Sequence, residues 1–139
     1  MELDRALAFA ATRRNTVLTT LRADGRPQQS VVFYLADGDR FTISVTATRA
    51  KTKNLLRDPR AALFIPSDDV FVWVSLDGTV QLTEPARSPD DDVVEQLVDY
   101  YRRGTGEHPD WAAYRQAMVD DQRLIATFTA TSATGILPD

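Results

Sequence analysis

The chain has 139 residues, 43% of them apolar, with one histidine, no cysteine and a formal net charge of −4. This length fits a single domain, residues 1–139, with a core of its own. The missing cysteines exclude disulfides, thiol nucleophiles and zinc–thiolate sites, and a lone histidine excludes a multi-histidine metal centre, so no metal site is expected.

The N-terminus, "MELDRALAFAATRRN", lacks the basic start and continuous apolar run of a signal peptide. No window approaches the roughly 18 apolar residues of a membrane span. A cytoplasmic protein without membrane contact is therefore expected. Residues 3–13 read as an amphipathic helix, with Leu3, Leu7 and Ala10 on one stripe. "NTVLTTLR" reads as a strand, rich in β-branched residues. Asp24-Gly25 marks a hairpin turn, "QQSVVFYL" the next strand and Asp37-Gly38 a second turn. "FTISVT" alternates: Phe41, Ile43 and Val45 point to a core, and Thr42, Ser44 and Thr46 point away. The hydroxyl face suits either solvent or a polar ligand.

Next comes "TRAKTKNLLRDP", residues 48–59. Positive charge gathers here although the chain is acidic. Residues 1–60 hold 11 Lys+Arg against 6 Asp+Glu, and residues 61–139 hold 5 against 14. Thr48 is the expected cap of a short helix, Pro59 its stop, and Leu55 and Leu56 its anchors. Arg49 and Lys51 then fall in the first turn. Cations there oppose the partial positive charge of a helix start. They make sense if an anion, a phosphate above all, sits on the free N–H groups. The plainer alternative is a solvated basic face.

"RAALFI" reads as a strand after Pro59. In "DVFVWVSLDGTVQLTEP" residues 70–74 are continuously apolar, as in a strand buried on both faces, and Asp77-Gly78 marks a turn or bulge. "SPDDDVVEQLVDYYRRG" is a helix capped by Ser88, with Asp91 completing a capping box and Gly104 ending it. "PDWAAYRQAMVDD" is another helix, with Trp111, Tyr114 and Met118 on one stripe. "RLIATFTAT" is the last strand. About six strands in hairpins and four helices predict a mainly β, antiparallel barrel with peripheral helices.

No Walker loop, G-x-G-x-x-G or G-x-S-x-G is present. His108 lies between Glu107 and Pro109 in an expected loop, and Asp90, Asp91 and Asp92 fit a helix start better than a metal cluster. No catalytic side chain stands out. An enzyme of this composition would draw its chemistry from a bound cofactor.

"DGRPQQSVVFY", "RAKTKNLLRDPRAAL", "DGTVQLTEP" and "YRQAM" resemble, in order and spacing, the flavin/deazaflavin oxidoreductases of the pyridoxamine 5′-phosphate oxidase-like split-barrel superfamily. The likeness is greatest to the branch that binds the deazaflavin coenzyme F420. It covers nearly the whole chain, and the R-A-K-T-K-N-L run is its most specific piece. The resemblance implies a six-stranded antiparallel split β-barrel (an FMN-binding split barrel) that forms a homodimer with cofactor grooves at the subunit interface. It implies cofactor contacts at Gln28, Ser30, Val31, Ser44, Arg49, Lys51, Thr52, Lys53, Asn54, Phe71 and Arg115. Arg49 and Lys51 would hold a phosphate, the rings would lie over the strands of Ser30 and Ser44, and Lys53, Arg57 and Arg60 would serve the glutamate tail of F420. The function implied is an F420-dependent reductase that passes a hydride to a small conjugated or aromatic substrate. The alternatives are an FMN-dependent oxidoreductase on the same scaffold and a carrier that binds F420 without turnover. No second cluster matches the pyridoxal-phosphate pocket of the true oxidases. Nucleic-acid binding is not expected, because beyond residue 60 the chain repels phosphates.

Overall fold

A computed structural model describes residues 1–139 as seven strands and four helices. In chain order these are α1 (Leu3–Ala10), β1 (Asn15–Leu21), β2 (Pro27–Phe33), β3 (Leu35–Asp37), β4 (Arg40–Thr46), α2 (Ala50–Arg57), β5 (Arg60–Pro66), β6 (Trp73–Leu82), α3 (Asp92–Gly104), α4 (Trp111–Asp120) and β7 (Arg123–Ile136). All strand pairs are antiparallel, and they form one curled sheet in the order β2-β1-β5-β6-β7-β4-β3. The curl brings β2 close to β4.

Six strands were expected and seven are found. The expected strand "QQSVVFYL" breaks at Tyr34, whose N–H donates to the Arg14 carbonyl at 2.7 Å and whose hydroxyl donates to the Ala10 carbonyl at 2.8 Å. These bonds turn the chain out of β2 and into β3. The two Asp-Gly turns are formed, with Gly25 and Gly38 at φ 86° and 62°, a region that L side chains rarely occupy.

Strand alternation builds the core. Phe41, Ile43 and Val45 are buried, and so are Leu18, Leu63, Leu76 and Phe128 from neighbouring strands. Tyr34, Phe41 and Phe128 pack edge-on, with centroids 5.2 and 5.8 Å apart. Each such side chain contributes about 1.5–3 kcal/mol of burial. Thr42, Ser44 and Thr46 lie half-buried on the opposite face, as the alternation requires.

Asp77-Gly78 is a bulge in the β6–β7 ladder. A Cβ on Gly78 would collide with the Thr129 carbonyl oxygen and the Phe128 ring. The apolar run 70–74 is not one buried strand. Asp69 takes the Phe71 N–H at 2.8 Å in a turn, β6 starts only at Trp73, and Val70 and Phe71 are 79% and 71% exposed.

A second, smaller cluster sets α3 against the outer face of β7, through Val94, Leu97 and Ile125. Helix α3 begins at Asp92, later than a Ser88 cap would place it. The Asp91 carboxylate accepts from the Arg87 and Ser88 N–H groups at 2.7 and 3.0 Å, which holds the preceding turn outside the helix. Helix α4 buries no residue fully and is tied to α3 by the Tyr114 hydroxyl on the Leu97 carbonyl, 2.8 Å. No helix is long and apolar enough to cross a membrane.

Candidate functional site

Helix α2 is fixed by side chains that point into the sheet. The Thr52 hydroxyl donates to the Thr46 carbonyl at 2.7 Å, and Asn54 Nδ2 donates to Thr20 Oγ1 at 3.1 Å. Both residues are buried, as is Leu55, whereas Leu56 is exposed and anchors nothing. The residue before the helix is Arg49 rather than Thr48, in extended conformation and without a side-chain cap. The first N–H groups of α2 therefore have neither an intrahelical partner nor a side-chain cap.

Beside this helix start lies a groove of about 390 Å³. Gln28 and Ser30 of β2, Ser44 and Thr46 of β4, Arg49 and Lys51 of the α2 turn, and Arg123 of β7 line it. The close approach of β2 and β4 explains how Ser30 and Ser44, 14 positions apart, share one cavity. Lys51 Nζ is 3.4 Å from Ser30 Oγ, and Arg123 Nη1 is 3.4 Å from Ser44 Oγ. No carboxylate lines the groove. Burial, reinforced by the charges of Arg49 and Arg123, pushes the Lys51 ammonium below its ordinary pKa. Arg123 Nε is buried without any hydrogen-bond partner. Three crowded cations and an orphaned N–H form a site short of an anion.

Arg123 was not legible as a site residue. The residue-by-residue pairing of β4 with β7 sets it opposite Thr46. Gln28 reaches the groove with its Oε1 accepting from Thr20 Oγ1 at 3.0 Å. Of the other expected contacts, Thr52 and Asn54 turn inward beneath the groove, and Lys53 is exposed on α2. Val31 and Phe71 lie exposed and outside the groove. Arg115 is on α4, paired with Glu95 at 2.6 Å and donating to the Pro89 carbonyl at 3.0 Å. Arg57 donates to the Leu21 carbonyl and to Asn54 Oδ1, both at 2.9 Å. Arg60 pairs with Asp58 at 2.8 Å, and its hydrogen bonds hold the Asp58 carboxyl down at about 2. Of the cations at 49–60, only Arg49 and Lys51 face the groove.

A family model described as pyridoxamine 5′-phosphate oxidase matches residues 3–134. The chain belongs to this family. Its curled seven-stranded sheet is the family's split barrel, shared with solved structures of low sequence identity. One is an F420 reductase, 23% identical, covering 96% of this chain and 98% of its own, at TM-score 0.66. Another is a conserved hypothetical protein from Mycobacterium tuberculosis, 24% identical, covering 96% of this chain and 82% of its own, at TM-score 0.68. A third is a heme storage protein from Vibrio cholerae, 14% identical, covering 97% and 95%, also at TM-score 0.68. Proteins of this one fold are thus named for different ligands, and the fold by itself assigns none.

Proposed function

We propose that this chain is a coenzyme F420-dependent reductase, acting on a small conjugated or aromatic substrate. The observation that carries the reading is the groove with three cations, an uncapped helix start and no counter-ion. Arg49, Lys51 and the N–H groups of α2 would hold the cofactor's phosphate, with Arg123 neutralising charge from the β7 side. Ser30 and Ser44 would orient the rings between β2 and β4. Thr52 and Asn54 act one layer below, by holding the helix start in place. When bound, the reduced deazaflavin supplies a hydride. The protein supplies binding, orientation and exclusion of water.

A homodimer belongs to the same proposal. Val31 and Phe71 are exposed apolar groups outside the groove, and a second subunit would cover them and complete the cofactor site at the interface. Arg115 keeps its Glu95 partner and contributes to α4 packing, not to phosphate binding.

An FMN-dependent oxidoreductase is the second reading, favoured by one observation. Arg57 and Arg60, which would extend the positive surface toward a polyanionic tail, are tied to intramolecular partners. FMN, with a single phosphate, needs only the groove.

Titration of the purified protein with F420 and with FMN, at low and at raised salt, tests the choice. F420 should bind more tightly, and its advantage should shrink with salt because more charges are paired. Equal affinities at low salt would favour FMN. Consumption of reduced F420 only when an acceptor is added would separate a reductase from a carrier.

A further inference from the structure

Of the chain's 16 basic residues, 14 are arginines, and the only two lysines, Lys51 and Lys53, stand two positions apart in α2. Arginine grips a phosphate with a fixed fork of donors and keeps its proton. A lysine in a groove already lined by Arg49 and Arg123 adds something those two lack. Its amine can give up a proton and act as a nucleophile.

The two lysines have opposite settings. Lys53 is exposed on α2. Lys51 is half-buried and reaches into the groove, where the neutral Ser30 Oγ, at 3.4 Å, is its one hydrogen-bond partner. No carboxylate lines the groove to hold the ammonium in its charged form. Burial and then the charges of Arg49 and Arg123 lower its pKa. A desolvated lysine beside other cations is an activated amine. The same groove, about 390 Å³, offers guanidinium donors to an anion, and Arg123 Nε is buried there without a partner. A nucleophile and an anion grip in one cavity select a ligand that carries both an electrophilic carbon and a negative charge.

We infer that Lys51 is a reactive amine that condenses with a small aldehyde bearing a phosphate, the phosphate being held by Arg49 and Arg123 in the same groove. The nitrogen lone pair adds to the carbonyl carbon, and the C=O bond opens to a carbinolamine hydroxyl. That oxygen leaves as water, and a protonated imine remains. Ammonium plus aldehyde gives protonated imine plus water, so atoms and charge balance and nothing is oxidised or reduced. The adduct fills the groove and excludes any other phosphate-bearing molecule. The inference goes beyond the cofactor reading and needs only the groove.

The test is incubation with glyceraldehyde 3-phosphate, and with glyceraldehyde as the phosphate-free control, in the presence of cyanoborohydride, which reduces the imine to a stable secondary amine. Intact mass counts the adducts, and peptide mapping places them. Lys53 is the internal reference, since the chain has no third lysine. The phosphate ester should label Lys51 about tenfold faster than Lys53. Glyceraldehyde should show a smaller preference, and excess inorganic phosphate should remove most of the advantage of the ester. Lys51→Arg keeps the cation and should lose the groove adduct while Lys53 is labelled as before. Equal labelling of the two lysines by the ester would overturn the inference. So would a preference that glyceraldehyde matches, or one that inorganic phosphate leaves intact. Either of these results leaves the cofactor reading standing, because a lysine can hold a phosphate without reacting.

Discussion

Lys51 Nζ and Ser30 Oγ are 3.4 Å apart, the link by which the basic turn of α2 reaches across to β2. The serine is the only protein hydrogen-bond partner of that ammonium, and it carries no charge to offset the neighbouring Arg49 and Arg123. In the free protein Lys51 is therefore held at a cost, which an anionic ligand removes. Lys51→Ala should weaken binding of the phosphate-bearing cofactor by about 10- to 150-fold, the worth of a charge-assisted contact. The melting temperature of the free protein should stay level or rise slightly, because a cation is being removed from a helix start. Calorimetric titration and thermal melts of both proteins check this. Matching dissociation constants would reduce the basic turn to a solvated helix face.

The same crowding predicts a pH dependence. Burial and two guanidinium neighbours lower the Lys51 pKa from its ordinary 10.5. Between the lowered value and 10.5 the unfolded chain binds the extra proton, so stability from this group rises with pH across that window. Below the folded pKa the lysine is charged in both states and the cost is fully present. Urea denaturation of wild type and Lys51→Met from neutral to alkaline pH isolates the effect. Wild type should gain on the variant as pH rises toward 10.5, and a constant difference between them would count against a buried, crowded ammonium.

Asn54 and Thr52 separate structure from binding. Asn54 bridges Thr20 and Arg57 from a buried position. Asn54→Ala leaves Thr20 Oγ1 without its donor and should cost about 1–3 kcal/mol. In a chain of this length that lowers the melting temperature by about 2–4 °C for each kcal/mol. Ligand affinity, measured well below the transition, should fall less than in Lys51→Ala. The reverse order would place the Asn54 side chain on the ligand.

Local chemistry made most of the elements legible. Asp-Gly pairs gave two turns and a bulge, and period-two alternation gave β4 and its hydroxyl face. Three features depended on distant partners and were not legible. The break at Tyr34 needs the carbonyls of Ala10 and Arg14. The inward turn of Asn54 needs Thr20, and the place of Arg123 needs the β4–β7 register. The loop at Val70–Phe71 did carry a local sign, since "SDD" before it supplies the Asp69 turn that strand periodicity overrode.

Gly78 gives a prediction independent of any ligand. Its α-hydrogen faces the Thr129 carbonyl and the Phe128 ring across the bulge, with no room for a methyl. Phe128 belongs to the core and the carbonyl to the β6–β7 ladder, so neither can yield alone. Gly78→Ala should cost about 3 kcal/mol, the upper end of overpacking penalties. Chemical denaturation should show a lower midpoint, and an unchanged midpoint would mean that the ladder opens freely there.

The last prediction concerns the outer face of the sheet. Val31 pairs with Val17, and Val17 with Phe64. The Phe64 ring lies 5.6 Å from Trp73, which pairs with Ile136. Direct partners share a face, and Trp73 lies two residues from Ser75, the direct partner of Phe64, so these five lie on one face as an apolar band across β2, β1, β5, β6 and β7. Val31 is 74% exposed, Ile136 51% and Phe64 38%. A contiguous apolar band of this kind marks an association surface. A second copy is the occupant we propose, because a symmetric contact buries the same apolar band on both chains at once. Sedimentation at micromolar concentration should give twice the chain mass of 15.5 kDa. Phe64→Glu, a charge at the centre of the row, should return the protein to a single chain. Its melting temperature should lose the concentration dependence expected of the wild-type dimer. Cofactor affinity should fall with dissociation, since each groove would lose the partner that completes it. A wild-type protein that sediments as a monomer, or a Phe64→Glu variant that remains a dimer, would remove the apolar row as the interface.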